Sequence, residues 1–187
     1  MSLLPITIYG DKILRKKTEK VFDVDVDTVK LIKDMFDTLK NASGIGLAAN
    51  QVGADKQIFI VNLSEIEGYE LSKPLVLINP EIEKFSEEKI VMEEGCLSIP
   101  DIRSEIERPK RVTIKFYDTN LKEQRIEASE LLARVIQHEY DHLQGVLFID
   151  RISGEDNKKL KKELNKIKQR KRDFDYPVTE HMDYQLL

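Results

Sequence analysis

Gln137-His138-Glu139-Tyr140-Asp141-His142 sets two histidines four residues apart, with a glutamate directly after the first. On a helix, positions i and i+4 project from one face a single turn apart, so both imidazoles can reach one metal ion. At about 100° per residue, Leu131, Val135, His138 and His142 fall on one narrow stripe, which points the histidines along the buried face. Glu139 lies beside that stripe, placed to touch a water without being a ligand. The plain alternative is a pair of core histidines satisfied by ordinary hydrogen bonds, and the intervening glutamate argues against it. Ser129 is the expected N-cap of this helix and Gly145 its expected stop.

A catalytic tetrahedral site needs three protein ligands and an open position for water. A third histidine in the extended pattern His-Glu-x-x-His-x-x-Gly-x-x-His fails: Gly145 is in place, but Phe148 stands where the histidine should be. Glu163 is at a workable distance in sequence but sits in a Lys-rich, solvent-facing segment, and His181 lies in an irregular tail. Cys96 follows Glu93-Glu94-Gly95 at the end of a strand and precedes Leu97-Ser98-Ile99-Pro100. As a thiolate it would complete a soft Cys-His-His set. Taken alone, a lone cysteine reads as a small buried hydrophobe.

Outward from the helix, the order is helix, several strands, helix, helix. Asp27 is the expected cap of a first helix with Val29, Ile32, Met35, Phe36 and Leu39 at 3.6-residue spacing, ending near Asn41-Ala42-Ser43-Gly44. The small residues Gly44 to Gln51 resemble neither a strand nor a helix surface. Strands are expected at 57–63, 75–78 (ended by Asn79-Pro80), 82–85, 89–92, 112–116 and 123–126. A last helix is expected over 155–172 with Leu160, Leu164 and Ile167 as its apolar stripe, and no period is visible after Asp173. Together these predict an α+β single domain, mostly antiparallel sheet packed around the central histidine-bearing helix.

The chain's 187 residues suit one domain with a real core, and 41% hydrophobic against 34% charged residues suits a globular protein. There is no run of about 18 apolar residues and no secretory signal at Met1 to Ile6. A single cysteine makes no internal disulfide, so a cytoplasmic protein is expected, with no membrane partner. The net charge of −4 is uneven: residues 158–172 carry nine Lys or Arg against Glu163 alone, a local +8. An anionic partner is one meaning of that segment and a solvated helix face the commoner one.

Three segments, Gly44-Ile45-Gly46-Leu47-Ala48-Ala49-Asn50-Gln51, Glu94-Gly95-Cys96-Leu97-Ser98 and Gln137 to His142, together resemble the peptide deformylase family in order and spacing, over residues 5–152. The resemblance implies removal of the formyl group from the N-terminal formyl-methionine of newly made proteins, releasing formate. It implies that Cys96, His138 and His142 bind one divalent metal, iron(II), with zinc, nickel or cobalt also acceptable. Glu139 would be general base and acid, and the Gln51 side chain and the Leu97 backbone N–H would steady the oxyanion. Gly44, Ile45, Gly46 and Gly95 would let a substrate backbone approach closely, with Arg103 near the substrate chain. Two departures stand out. Asn50 replaces the usual Pro or Thr and is expected to alter loop stiffness; Arg134 replaces an aliphatic residue and is expected to snorkel at the mouth of the methionine pocket. Residues 1–152 would form the catalytic domain and 153–187 a basic helix and tail extending it. Expected partners are N-formylmethionyl peptides and nascent chains, with the ribosome reached through 155–172, and no DNA. The competing readings are a zinc peptidase using Glu163, and a silent relative that only binds nascent chains; intact Glu139 and Gln51 argue against the latter.

Overall fold

Five strands pair antiparallel in the order β1 (Gly46–Ala48), β2 (Ile58–Val61), β3 (Leu75–Phe85), β6 (Arg111–Tyr117), β7 (Glu123–Ser129). A separate antiparallel hairpin joins β4 (Lys89–Cys96) to β5 (Ile99–Pro109). The helices are α1 (Val26–Asn41), α2 (Glu130–Leu143) and α3 (Asn157–Lys168). The computed structural model describes residues 2–152 and 157–180. His181 with the rest of the tail, and residues 153–156 at the start of the expected last helix, lie outside the described residues.

The β2 strand shows why these elements assemble as they do. Its four residues are all buried, with Ile58 and Ile60 in a cluster with Ile32, Met35 and Leu39 of α1. Phe59 and Val61 join Ala133, Val135, Ile136 and Leu143 of α2. Successive side chains point to opposite faces, so a strand covered on both sides reads as an unbroken apolar run. Burying each such side chain contributes about 1.5–3 kcal/mol, and the result is α1 and α2 pressed on opposite faces of one sheet. A third cluster packs Ile99, Ile102 and Ile106 of β5 against Phe148, Ile8 and the α3 residues Leu164 and Ile167, with Leu160 partly buried beside them. The α3 stripe is therefore the expected one.

Several boundaries depart from expectation. Asp25, not Asp27, caps α1, its carboxylate accepting the Thr28 N–H at 2.7 Å. Asp27 falls in the first turn, where an anion favours the helix N-terminus. The two short strands expected around Asn79-Pro80 are one strand, β3. Asn79 adopts a φ of 48° and the pairing with β6 shifts register between Ile78 and Glu81. This bulge absorbs a proline without ending the strand. Residues 44–51, expected to be irregular, give edge strand β1 and a 3-10 turn, Ala49–Val52. The β4 strand runs on to Cys96, and β5, eleven residues long, was not expected at all. Ser129 occupies the N-cap of α2 but makes no side-chain capping bond, while Gly145 ends that helix region with a φ of 73°. The last helix stops at Lys168, because the chain reverses at Arg170 with a φ of 51°. Among the described residues no helix is long and apolar enough to cross a membrane.

Candidate metal centre

The buried face of α2 presents His138 and His142 to the end of β4, where Cys96 closes the hairpin. One ligand atom from each of the three lies within 4.8 Å of the others, and Cys96 Sγ is 3.2 Å from His142 Nε2. Phe148 is buried and stacks on the His138 ring, centroids 6.1 Å apart and planes 28° apart. The residue that removed a third histidine from the pattern thus orients the first. Glu163, by contrast, bonds Lys166 at 2.8 Å with its side chain half in solvent.

Burial and charge define what this cluster can hold. Burial alone would lower the His138 pKa, but hydrogen bonds with Cys96 and Glu94 outweigh it and raise it to about 10. Burial drives His142 well below its usual value, leaving a neutral imidazole, the ligating form. A centre that draws a proton into a buried ring carries surplus negative charge, which a divalent cation would neutralise. Thiolate and imidazole donors suit such an ion. Glu139 points into the same space with Oε2 buried and without a hydrogen-bond partner among the described residues. Burial pushes its carboxyl up to about 7, a value suited to taking and returning a proton near neutral pH.

Behind the ligands lies a charged lattice that the sequence reading did not find. Glu94 accepts from Arg108 Nε at 2.6 Å, Arg108 Nη2 at 2.9 Å and Arg134 Nη1 at 2.7 Å, and contacts His138 Nδ1 at 2.9 Å. Burial alone would raise the Glu94 pKa, but these hydrogen bonds hold it well below the usual carboxylate range. Arg108 Nη1 also reaches Asp141 at 2.6 Å, and Arg151 clamps the same carboxylate with two bonds of 2.6 Å. A carboxylate on the second nitrogen of a ligating histidine fixes its ring and tautomer. A signal for Glu94 did exist: it stands two residues before Cys96, and on a strand i and i+2 share a face.

Arg134 is a correction. It does not snorkel at a pocket mouth. Its side chain is buried, and beyond Glu94 its guanidinium donates to the carbonyls of Ile106 and Ile90 at 2.8 and 2.7 Å. It forms part of the cleft wall with its charge spent inward, because Glu94 needs positive partners in the core. Arg103 is exposed at the rim, 3.3 Å from Glu93.

Two of the glycines also make room within the protein itself. A Cβ on Gly46 would stand 2.5 Å from Glu139 Oε1 and 2.8 Å from Val135, so Gly46 makes room for the acid itself. A Cβ on Gly44 would meet Leu39 at 2.6 Å. Gly95 would meet Arg103 only at 3.4 Å, an ordinary contact. Gln51 accepts the Ala48 N–H on Oε1 at 2.8 Å, which turns its amide nitrogen toward Cys96 Sγ at 3.4 Å and Ser98 Oγ at 3.2 Å. Asn50, buried, donates to the His142 carbonyl at 2.6 Å and ties this loop to the end of α2.

Gln51, His138 and Glu139 line one cleft of about 600 Å³, with Gly44, Ile45 and Gly46 along it, Gly95, Cys96 and Leu97 opposite, and Leu131, Arg134 and Val135 in its wall. Residues 173–176, aperiodic in sequence, line it too, and nothing in their pattern signalled that.

A family model described as Polypeptide deformylase matches residues 3–158. The peptide deformylase of Chlorobium phaeobacteroides (strain BS1) is 44% identical over 184 residues, covering 97% of each chain. That of Rhizobium meliloti is 46% identical over 164 residues, 88% of this chain and 90% of the relative. The crystal structure of the Ehrlichia chaffeensis peptide deformylase in complex with actinonin superposes with a TM-score of 0.83 at 42% identity, covering 92% of this chain and 100% of that one.

Proposed function

The chain belongs to the peptide deformylase family, metal-dependent hydrolases that remove the N-terminal formyl group from newly made proteins, and on that premise we propose how its residues divide the work. Cys96, His138 and His142 hold one divalent ion, leaving a position for water. The ion is iron(II), with zinc, nickel and cobalt able to occupy the same donors. When bound, it would acidify water and polarise the formyl oxygen. Glu139 accepts the attacking water's proton on Oε2 and passes it to the leaving amine as the C–N bond breaks, giving formate and a free amino terminus. Gln51 Nε2 and the Leu97 N–H donate to the oxygen that gains charge, each donor worth about 3 kcal/mol. The peptide adds alongside β1, between Gly44-Ile45-Gly46 and Gly95, as an extra strand. Its methionine faces Leu131, Val135 and the Arg134 stem, and later residues pass Arg103.

The observation that carries this reading is the unpartnered Glu139 Oε2, buried beside three converging ligand atoms. Formate release from formyl-Met-Ala-Ser by anaerobically prepared protein tests it. Glu139→Gln is expected to lower kcat about a thousandfold while metal content stays unchanged. Formate release at the wild-type rate would overturn the assignment, and full metal content in Cys96→Ala would remove Cys96 from the ligand set.

A second reading concerns location. Residues 155–172 supply basic charge for ribosomal RNA phosphate, which would place this cytoplasmic enzyme near emerging chains. Exposed Lys161, Lys162 and Lys168 support this, whereas Arg170 and Arg172 are bound within the chain. Packing of Leu164 and Ile167 onto β5 supports residues 153–187 as an extension of the 1–152 catalytic domain. Ribosome co-sedimentation that survives raised salt and deletion of 155–187 would dispose of the docking role.

A further inference from the structure

After α3 the chain turns back and residues 173–179 cross the hairpin that carries Cys96. Phe174 and Val178 pack on the cluster formed by Ile99, Ile102, Ile106 and Phe148. The Ile6 N–H donates to the Pro177 carbonyl at 2.8 Å and the Thr179 N–H to the Ile6 carbonyl at 2.9 Å, framing a parallel bridge between Ile6 and Val178. Arg170 and Thr179 both bond Asp11, each at 2.6 Å, and Arg172 donates to the Pro100 carbonyl at 3.2 Å and pairs with Asp101. A segment held at this many points is a fixed wall. From it the Tyr176 hydroxyl donates to the Leu97 carbonyl at 2.7 Å.

Leu97 and Ser98 form the short connection between Cys96 and Ile99, which face each other across the hairpin. The Leu97 N–H belongs to the peptide bond with Cys96, and its carbonyl to the bond with Ser98. Anchoring both bonds sets the rotation of the Leu97 residue and so the aim of its N–H. Cys96 anchors one side, and Tyr176 with the Tyr9 N–H on the Ser98 carbonyl (2.8 Å) anchors the other. We propose that Tyr176 is a positioning residue for deformylation, aiming the Leu97 N–H at the formyl oxygen from a segment beyond the stretch matched by the family model. The inference rests on Leu97 being an oxyanion donor. Burial pushes the phenol above its usual range, so the hydroxyl stays a donor throughout the working pH.

Tyr176→Phe keeps the ring and removes only the hydroxyl. With formyl-Met-Ala-Ser, kcat should fall about tenfold, as small misplacements of a donor cost rate, while KM, metal content and Tm stay unchanged. Amide hydrogen exchange at Leu97 and Ser98 should quicken. Replacing Leu97 by its α-hydroxy analogue turns the Cys96–Leu97 amide into an ester without an N–H. That variant should lose rate by itself, and Tyr176→Phe should then add nothing. A slowed ester variant with an unaffected Tyr176→Phe overturns the inference and leaves the donor role standing. An ester variant as fast as wild type overturns the donor role and the inference with it. A Tyr176→Phe enzyme that loses Tm at unchanged kcat marks a merely structural contact, and also overturns the inference.

Discussion

The helices α2 and α3 are both amphipathic and both lie on the core, yet their buried faces are built on opposite terms. The α3 face is an apolar stripe, Leu164 and Ile167 with Leu160 at its edge, and it needs only to be greasy and correctly spaced. On α2, Arg134, Gln137, His138, Glu139, Asp141 and His142 are all buried. Burying such groups unpartnered would cost several kcal/mol each, so nearly every one is answered by name: Arg134 and His138 by Glu94, Asp141 by Arg108 and Arg151, Gln137 by the carbonyls of Pro109 and Ala133. Glu139 Oε2 and His142 Nδ1 remain without partners among the described residues. The difference teaches that an anchoring helix can be specified by periodicity, whereas a helix that carries chemistry is specified by distant side chains that hold its charges in place.

Substitutions can break or sharpen that contrast. The largest effect is expected for Arg108→Ala, which takes from Glu94 and from Asp141 one of the two arginines that hold each of them; urea denaturation should register a loss of about 3–5 kcal/mol, together with weaker metal binding. Ile167→Ala on α3 should cost about 2–3 kcal/mol, yet leave metal affinity in a chelator competition at the wild-type value. Equal damage to metal affinity by both would erase the difference between the two helices. Glu94→Gln keeps the shape but weakens the hold on His138, and should lower metal affinity about 10- to 100-fold. Gly46→Ala should reduce kcat by displacing Glu139 while metal content is retained, read from paired formate and metal assays. The smallest effect belongs to the solvent side: Lys161→Gln with Lys162→Gln should leave Tm within about 2 °C, whatever it does to ribosome co-sedimentation.

What could be read in advance follows the same division. The α2 helix, the buried β2 run and the alternation of β6 were legible because one repeating pattern dominated each. The β5 strand was hidden twice. Its inward series of Ile102, Ile106 and Arg108 ends in a charge, and Asp101, with a φ of 60°, sits in an irregular stretch that breaks the pairing between Ile99 and Arg103. Arg108 looks like a surface residue until its two acids are in view. Arg134 was misplaced for the same reason: nothing near it in sequence discloses Glu94, forty residues earlier. The candidate ligands and Glu139 were visible through helical spacing and the family resemblance. Phe148, noticed only for failing to be histidine, and Tyr176, in a stretch without period, act through contacts that local patterns do not encode.

The parallel bridge between Ile6 and Val178 has a consequence in time. Synthesis proceeds from the N-terminus, and Thr179 closes on Asp11 across 168 residues of chain. The sheet and α2 can form while the rest is still being made, but the Tyr176 wall must wait until Thr179 has been added. A protein whose business is with unfinished chains therefore completes its own cleft last, after the sheet and helix that form its other walls.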